Sequence, residues 1–212
     1  MKEHFLRVQR TARYHSLGDP ATAQAIWIVV HGYGQLARFF LNGFSASSSD
    51  RFIVAPEGLS RFYLDPEHGR VGATWMTRED RLNEITDHVA YLDALVAHVR
   101  LQCPAGIPVH ALGFSQGVAT VARWSHQGRS NVQRVVLWAG GLPPELDTDQ
   151  LKAWRVKHVD LVLGNEDPYQ KPGDLNATSQ RLRGAGVPHK AHTFAGAHRL
   201  EPVLLEKILG SE

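Results

Sequence analysis

The stretch Gly113-Phe114-Ser115-Gln116-Gly117 sets a serine between two glycines, where an apolar run gives way to a helical pattern. A serine hydroxyl becomes a nucleophile only when a base removes its proton. The spacing G-x-S-x-G between a strand and a helix supplies the geometry. Such a turn strains the serine backbone and lifts its side chain clear, and the glycines remove Cβ atoms that would collide across it. The amide of Gln116, at the start of the next helix, would face an oxyanion forming at Ser115, helped by the positive end of the helix dipole. A second donor is required. The glycine-flanked turn His31-Gly32-Tyr33-Gly34 offers the amide of Tyr33.

The base is expected to be one of 12 histidines. His198 is preferred, because it follows a strand end through Gly196-Ala197 and opens the last helix. His192 alternates with Phe194 within the strand and reads as a packing or surface residue. His110 reads as a core histidine, and His31, before a tight glycine turn, as a brace of that loop. The acid that orients the base is expected at Asp167, after the strand ending in Gly164 and before Pro168. Glu166 and Asp174 in the same loop remain alternatives.

These residues need a scaffold, and the hydrophobic pattern describes one. Residues 5–17 alternate loosely and read as an edge strand, whereas 25–30 is a continuous apolar run expected of a strand buried on both faces. Further strands are expected at 51–56, 108–114, 132–140, 158–164 and 189–196. Between 79 and 101, Leu82, Ile85, Val89, Leu92, Val96 and Val99 recur at steps of three and four, the mark of an amphipathic helix. Other helices are expected at 116–127, 149–155, 174–185 and 199–209, and residues 45–50 read as a surface loop. Alternating strand and helix implies an α/β fold on a mostly parallel sheet of about seven strands. Ligands bind beyond the carboxyl ends of such strands, and there the serine, the acid and the histidine all fall. With helices filling the stretches between strands, there is no room for a large cap, and residues 1–212 read as a single domain.

Composition narrows the class further. Lys and Arg number 23 against 21 Asp and Glu, a net charge of +2 without clusters, so no nucleic-acid partner is expected. The sole cysteine, Cys103, cannot form an internal disulfide and reads as structural. The charged start of the chain does not resemble a signal peptide, and no apolar stretch is long enough to span a membrane. The expected location is cytoplasmic. Asp65-Pro66-Glu67-His68 has no second cluster at ligand spacing, so no metal is expected, and Phe62 and Tyr63 read as loop packing.

The motifs HGYG, GFSQG, GNEDP and GAH, in that order and at those separations, resemble the phospholipase/carboxylesterase family of α/β-hydrolases, which includes the acyl-protein thioesterases. The resemblance runs from about Ile26 to the C-terminus. It implies an α/β-hydrolase fold and a serine esterase acting on short to medium acyl esters or thioesters through an acyl-enzyme. Ser115 would be the nucleophile, Asp167 the acid and His198 the base, with the Tyr33 and Gln116 amides as oxyanion hole. No cofactor is implied, the partner is a small ester or acylated substrate, and the chain is expected to be a monomer or homodimer. Trp75 falls where the family has a cleft tryptophan and is expected to shape a short acyl pocket. Phe39 and Phe40, with Leu41 and Phe44, would form the opposite wall. Two positions depart from the family pattern: Val118 replaces a glycine, and Tyr169-Gln170 replace a small apolar residue and a proline, altering one cleft wall. A non-catalytic small-ligand binder of the same fold, or an acyltransferase using the same residues, are the alternatives.

Overall fold

The apolar run after Gln24 becomes β2 (Ala25–Val30), buried from Ile26 onward. Its alternate side chains enter opposite layers, Ile26, Ile28 and Val30 on one face and Trp27 and Val29 on the other, as the two-residue period of a strand requires. The computed structural model describes residues 1–47 and 50–210. In it β2 belongs to a 7-stranded sheet ordered β1 (Tyr14–Leu17), β3 (Arg51–Pro56), β2, β6 (Val109–Phe114), β7 (Val132–Trp138), β8 (His158–Gly164) and β9 (His189–Phe194). β1 runs antiparallel to β3, and every other neighbouring pair in this sheet is parallel.

Helices cover both faces. On one side lie α2 (Arg81–Arg100), α3 (Gln116–Gln127), α4 (Thr148–Lys152) and α5 (Asp174–Gly184). They contribute Leu92, Val96, Val121, Trp124, Leu151 and Leu182 to one core. On the other side α1 (Ala37–Leu41) and α6 (Pro202–Gly210) contribute Phe40, Leu41, Leu205 and Leu209. Because β2 and β6 to β9 are parallel, their carboxyl ends form one rim, followed in turn by His31, Ser115, Ala139, Asn165 and Ala195. No helix among the described residues is long and apolar enough to cross a membrane.

The structure departs from the sequence reading in several places. The edge strand expected at 5–17 is confined to Tyr14–Leu17, and residues 1–13 carry no regular structure. Leu82, assigned to the apolar face of α2, is 72% exposed. Phe62 and Tyr63 belong not to a loop but to β4 (Ser60–Tyr63), paired antiparallel with β5 (Val71–Thr74) in a separate 2-stranded sheet. Of the surface loop expected at 45–50, residues up to Ser47 end a 3-10 helix begun at Asn42, and 48–49 lie outside the described residues.

α2 also buries His88 at 1% exposure, and neither ring nitrogen finds a well-formed hydrogen-bond partner among the described residues. Burial, with nearby Arg123 adding to it, pushes this histidine down to about 4 from 6.5. The folded state therefore favours neutral His88, and its contribution is complete above pH 6.5 and lost as the pH falls towards 4. A shift of this size corresponds to about 3 kcal/mol. Denaturant titrations should show wild type losing stability between about pH 7 and pH 4. His88→Leu should remove about 3 kcal/mol of that pH dependence.

Candidate active site

At the end of β6 the chain turns so sharply that Ser115 takes φ 54° and ψ −117°. A side chain there costs about 1–3 kcal/mol of backbone strain, so its neighbours must enforce it. The Ser115 amide donates to the Trp138 carbonyl at 2.9 Å, and its own carbonyl accepts from the Val118 amide at 3.0 Å. A Cβ on Gly113 would strike the Gly117 carbonyl, and one on Gly117 the Val30 carbonyl. Both glycines are thus required by close backbone approach.

The loop after β2 meets this turn. A Cβ on Gly32 would come within 3.1 Å of the Ser115 Cβ, so backbone faces the serine there. The Tyr33 and Gln116 amides donate to no protein acceptor among the described residues. Around them nearly every polar group is committed. The Gly32 amide donates to Gln35 Oε1 at 2.7 Å. His31, fully buried, accepts from the Gly58 amide at Nε2 (3.0 Å) and donates from Nδ1 to the Gly32 carbonyl (2.7 Å). Burial lowers its pKa, which suits a neutral ring whose Nε2 must accept. Its predicted bracing role is what these contacts describe.

Sequence reasoning missed the support beneath the loop. β5 reaches it through Gly34 N–H to the Ala73 carbonyl (2.9 Å) and Ala73 N–H to the Gln35 carbonyl (3.1 Å). The Gln116 side chain donates to the Met76 carbonyl at 2.9 Å, accepts from the Trp75 amide at 3.2 Å and bonds the Thr74 hydroxyl. Turn residues Asp65-Pro66 and Gly69 between two short alternating runs were the available hairpin signal. At the end of β3, Glu57 is 1% exposed and accepts from Arg13 (2.6 Å), Arg61 (2.7 Å) and the Ala37 amide (3.3 Å). Burial opposes its charge, but the hydrogen bonds from Arg61 and Arg13 prevail and hold its pKa below the usual value.

Two adjacent loops carry the acid and the histidine. Asp167 follows β8 and His198 follows β9, and the loops are joined by Asn165 N–H to Phe194 O and Glu166 N–H to Gly196 O, each 3.0 Å. His198 Nδ1 lies 2.7 Å from Asp167 Oδ2, and the Asp167 side chain is wholly buried. The other oxygen, Oδ1, accepts the Tyr169 amide at 2.9 Å. Glu166 is exposed, and Asp174 instead accepts the Lys171 amide at 2.7 Å. With Nδ1 donating to the carboxylate, the Nε2 lone pair is left to act as a base. The His198 loop is tied back by Trp138 Nε1–H to the Arg199 carbonyl at 2.9 Å. The His198 ring contacts both Phe114 and Tyr169, at 4.8 Å from each centroid.

The residues expected as acyl walls are mostly buried. Trp75 is 3% exposed, its indole N–H donates to the His31 carbonyl at 3.0 Å, and its ring packs on His31 and Tyr91. It supports the loop from within the core. Phe40, Leu41 and Phe44 are buried too, and of that group only Phe39, at 59%, presents a ring to solvent. The other histidines lie elsewhere: His192 bonds Asp160 at 2.8 Å, and His110 packs at a tilt on Trp27. A cavity of about 580 Å³ bordered by Arg51, His110, Arg134 and His158 opens at the amino ends of the strands, away from Ser115.

No protein-family profile matches the chain, and no curated protein sequence does. Solved structures do. A carboxylesterase from Mesorhizobium loti superposes with a TM-score of 0.72 at 16% identity, over 95% of each chain. The Bacillus cereus carboxylesterase gives 0.69 at 15% identity, over 94% of this chain and 92% of that one. Zea mays acyl-protein thioesterase 2 gives 0.66 at 18% identity, over 94% of this chain and 97% of that one. This likeness, with the sheet order above, establishes the α/β-hydrolase fold.

The position of Trp75 generates a stability prediction. Trp75→Phe keeps the buried ring but leaves the His31 carbonyl without the indole donor, at a cost of about 1–3 kcal/mol. Trp75→Ala should cost about 3–5 kcal/mol. Urea unfolding of the two variants checks both values and their order.

Proposed function

We propose that this protein is a serine hydrolase that cleaves carboxylic esters or thioesters of short to medium acyl groups. Ser115 is its nucleophile, His198 its base and Asp167 the acid that orients the base. The observation that carries this reading is the 2.7 Å contact between His198 Nδ1 and buried Asp167, on the same sheet rim as a serine held at positive φ. The carboxylate fixes one tautomer, so that Nε2 takes the Ser115 proton as Oγ attacks the acyl carbonyl. The Tyr33 and Gln116 amides receive the oxyanion; their lack of protein acceptors among the described residues supports that role. His198 returns the proton to the departing alcohol or thiol, and water then repeats the sequence on the acyl-enzyme. The structural neighbours named as carboxylesterases and a thioesterase support this choice over a non-catalytic binder.

The test combines covalent labelling with hydrolysis. A fluorophosphonate should label Ser115, and Ser115→Ala should abolish labelling and lower kcat by about 10⁴- to 10⁶-fold. Asp167→Asn should lower kcat by about 10⁴-fold, because the histidine then adopts the wrong tautomer. Glu166→Gln, at an exposed position, should change it by no more than about threefold. Labelling of another serine, or a crippled Glu166→Gln enzyme, would overturn the assignment.

A further inference from the structure

The two rings that flank His198 are not equivalent. Phe114 is 5% exposed and packs on Phe40, so its side of the histidine is closed by protein. Tyr169 is 75% exposed and meets the His198 ring edge-on at 68°. Its side chain is held there by its own backbone, since the Tyr169 amide donates to Asp167 Oδ1. A base that returns a proton must come within hydrogen-bond reach of the leaving atom. Any substituent on that atom therefore passes beside the histidine, where the solvent-exposed ring in contact with it is Tyr169.

We infer that Tyr169 determines specificity for the leaving group, favouring aromatic or extended apolar alcohols and thiols that pack against its ring. This rests on the serine-hydrolase reading above. In acylation the Ser115 Oγ–carbon bond forms and the bond from carbon to the leaving oxygen or sulfur breaks. The serine proton passes through His198 Nε2 to the leaving atom, beside Tyr169. In deacylation the leaving group is gone and water takes its place. Tyr169 thus acts on acylation and is silent in deacylation. A residue that merely held His198 in position would affect both steps alike.

The test uses acetate esters that share one acyl group and differ in the alcohol, benzyl acetate against methyl acetate, together with the hydrolysis rate of the isolated acetyl-enzyme. Wild type should prefer benzyl acetate in kcat/KM. Tyr169→Ala should lose about tenfold on benzyl acetate and no more than about twofold on methyl acetate, the scale of losing one apolar contact in a binding site. Its acetyl-enzyme should hydrolyse at the wild-type rate. Tyr169→Phe, which keeps the ring, should retain the benzyl preference. An equal loss on both esters, a slowed deacylation, or an unchanged preference in Tyr169→Ala would each overturn the inference. Fluorophosphonate labelling of Ser115 in the same variants distinguishes that outcome from failure of the active-site reading, which would leave wild type itself unlabelled.

Discussion

The start of α3 rests on the end of β2 so closely that no Cβ fits between Gly117 and the Val30 carbonyl. Much of the rim follows from this contact. It brings the first amides of α3 beside the loop that begins at His31, where Gly32 approaches Ser115 with little room for a Cβ. It also leaves the turn before α3 little freedom, and Ser115 takes up the difference with a positive φ. Strain of about 1–3 kcal/mol at one residue is sustained because the strands on either side are bonded along their length. β6 is paired with both β2 and β7, and the Ser115 amide continues the second ladder by donating to Trp138.

Around this contact the structure separates two kinds of side chain. Those that fix backbone positions are hydrogen-bonded, His31, Trp75 and Asp167 buried and Gln116 half-buried. Facing outward at the same rim are three aromatic rings, Tyr33 at 61%, Phe39 at 59% and Tyr169 at 75% exposure. Buried polar groups are costly unless paired, and once paired they hold a single arrangement. The exposed rings carry no such requirement and can vary in type without disturbing the loops beneath. Tyr169 joins the layers, its amide spent on the Asp167 carboxylate and its ring presented to solvent.

Much of this was legible in the sequence, for identifiable reasons. Strands buried on both faces leave continuous apolar runs, and the residues just beyond their ends are set by chain connectivity, so Ser115, Asp167 and His198 could be assigned to one rim. That Asp167 bonds His198 while Glu166 is exposed could not be read from sequence, because adjacent carboxylates in a loop differ only in which way the turn points them. The burial of Trp75 was not legible because it depends on whether the indole N–H finds an acceptor inside, and the His31 carbonyl is 44 residues away in sequence. The β4–β5 hairpin escaped notice because strands of four residues are too short for periodicity to distinguish from a loop. Phe114 and Tyr169 touch His198 from different strand ends, and no local pattern encodes that meeting.

The hairpin and the end of β3 together explain how a loop rich in glycine holds still. Glu57 draws Arg13 from the N-terminal segment, Arg61 from β4 and the first amide of α1 onto one carboxylate. Removing both arginines would leave the buried carboxylate's charge uncompensated, at a cost of about 3–5 kcal/mol, so this one group ties the three segments together. The next residue, Gly58, gives its amide to His31 Nε2, and a Cβ at Gly58 would strike the Thr74 backbone, so β5 presses against the same point. Protonating His31 would turn that acceptor into a donor facing a donor, and its lowered pKa keeps the ring neutral where the loop is needed. The position of the Tyr33 amide is therefore set less by the glycines around it than by a neutral imidazole held between Gly32 and Gly58.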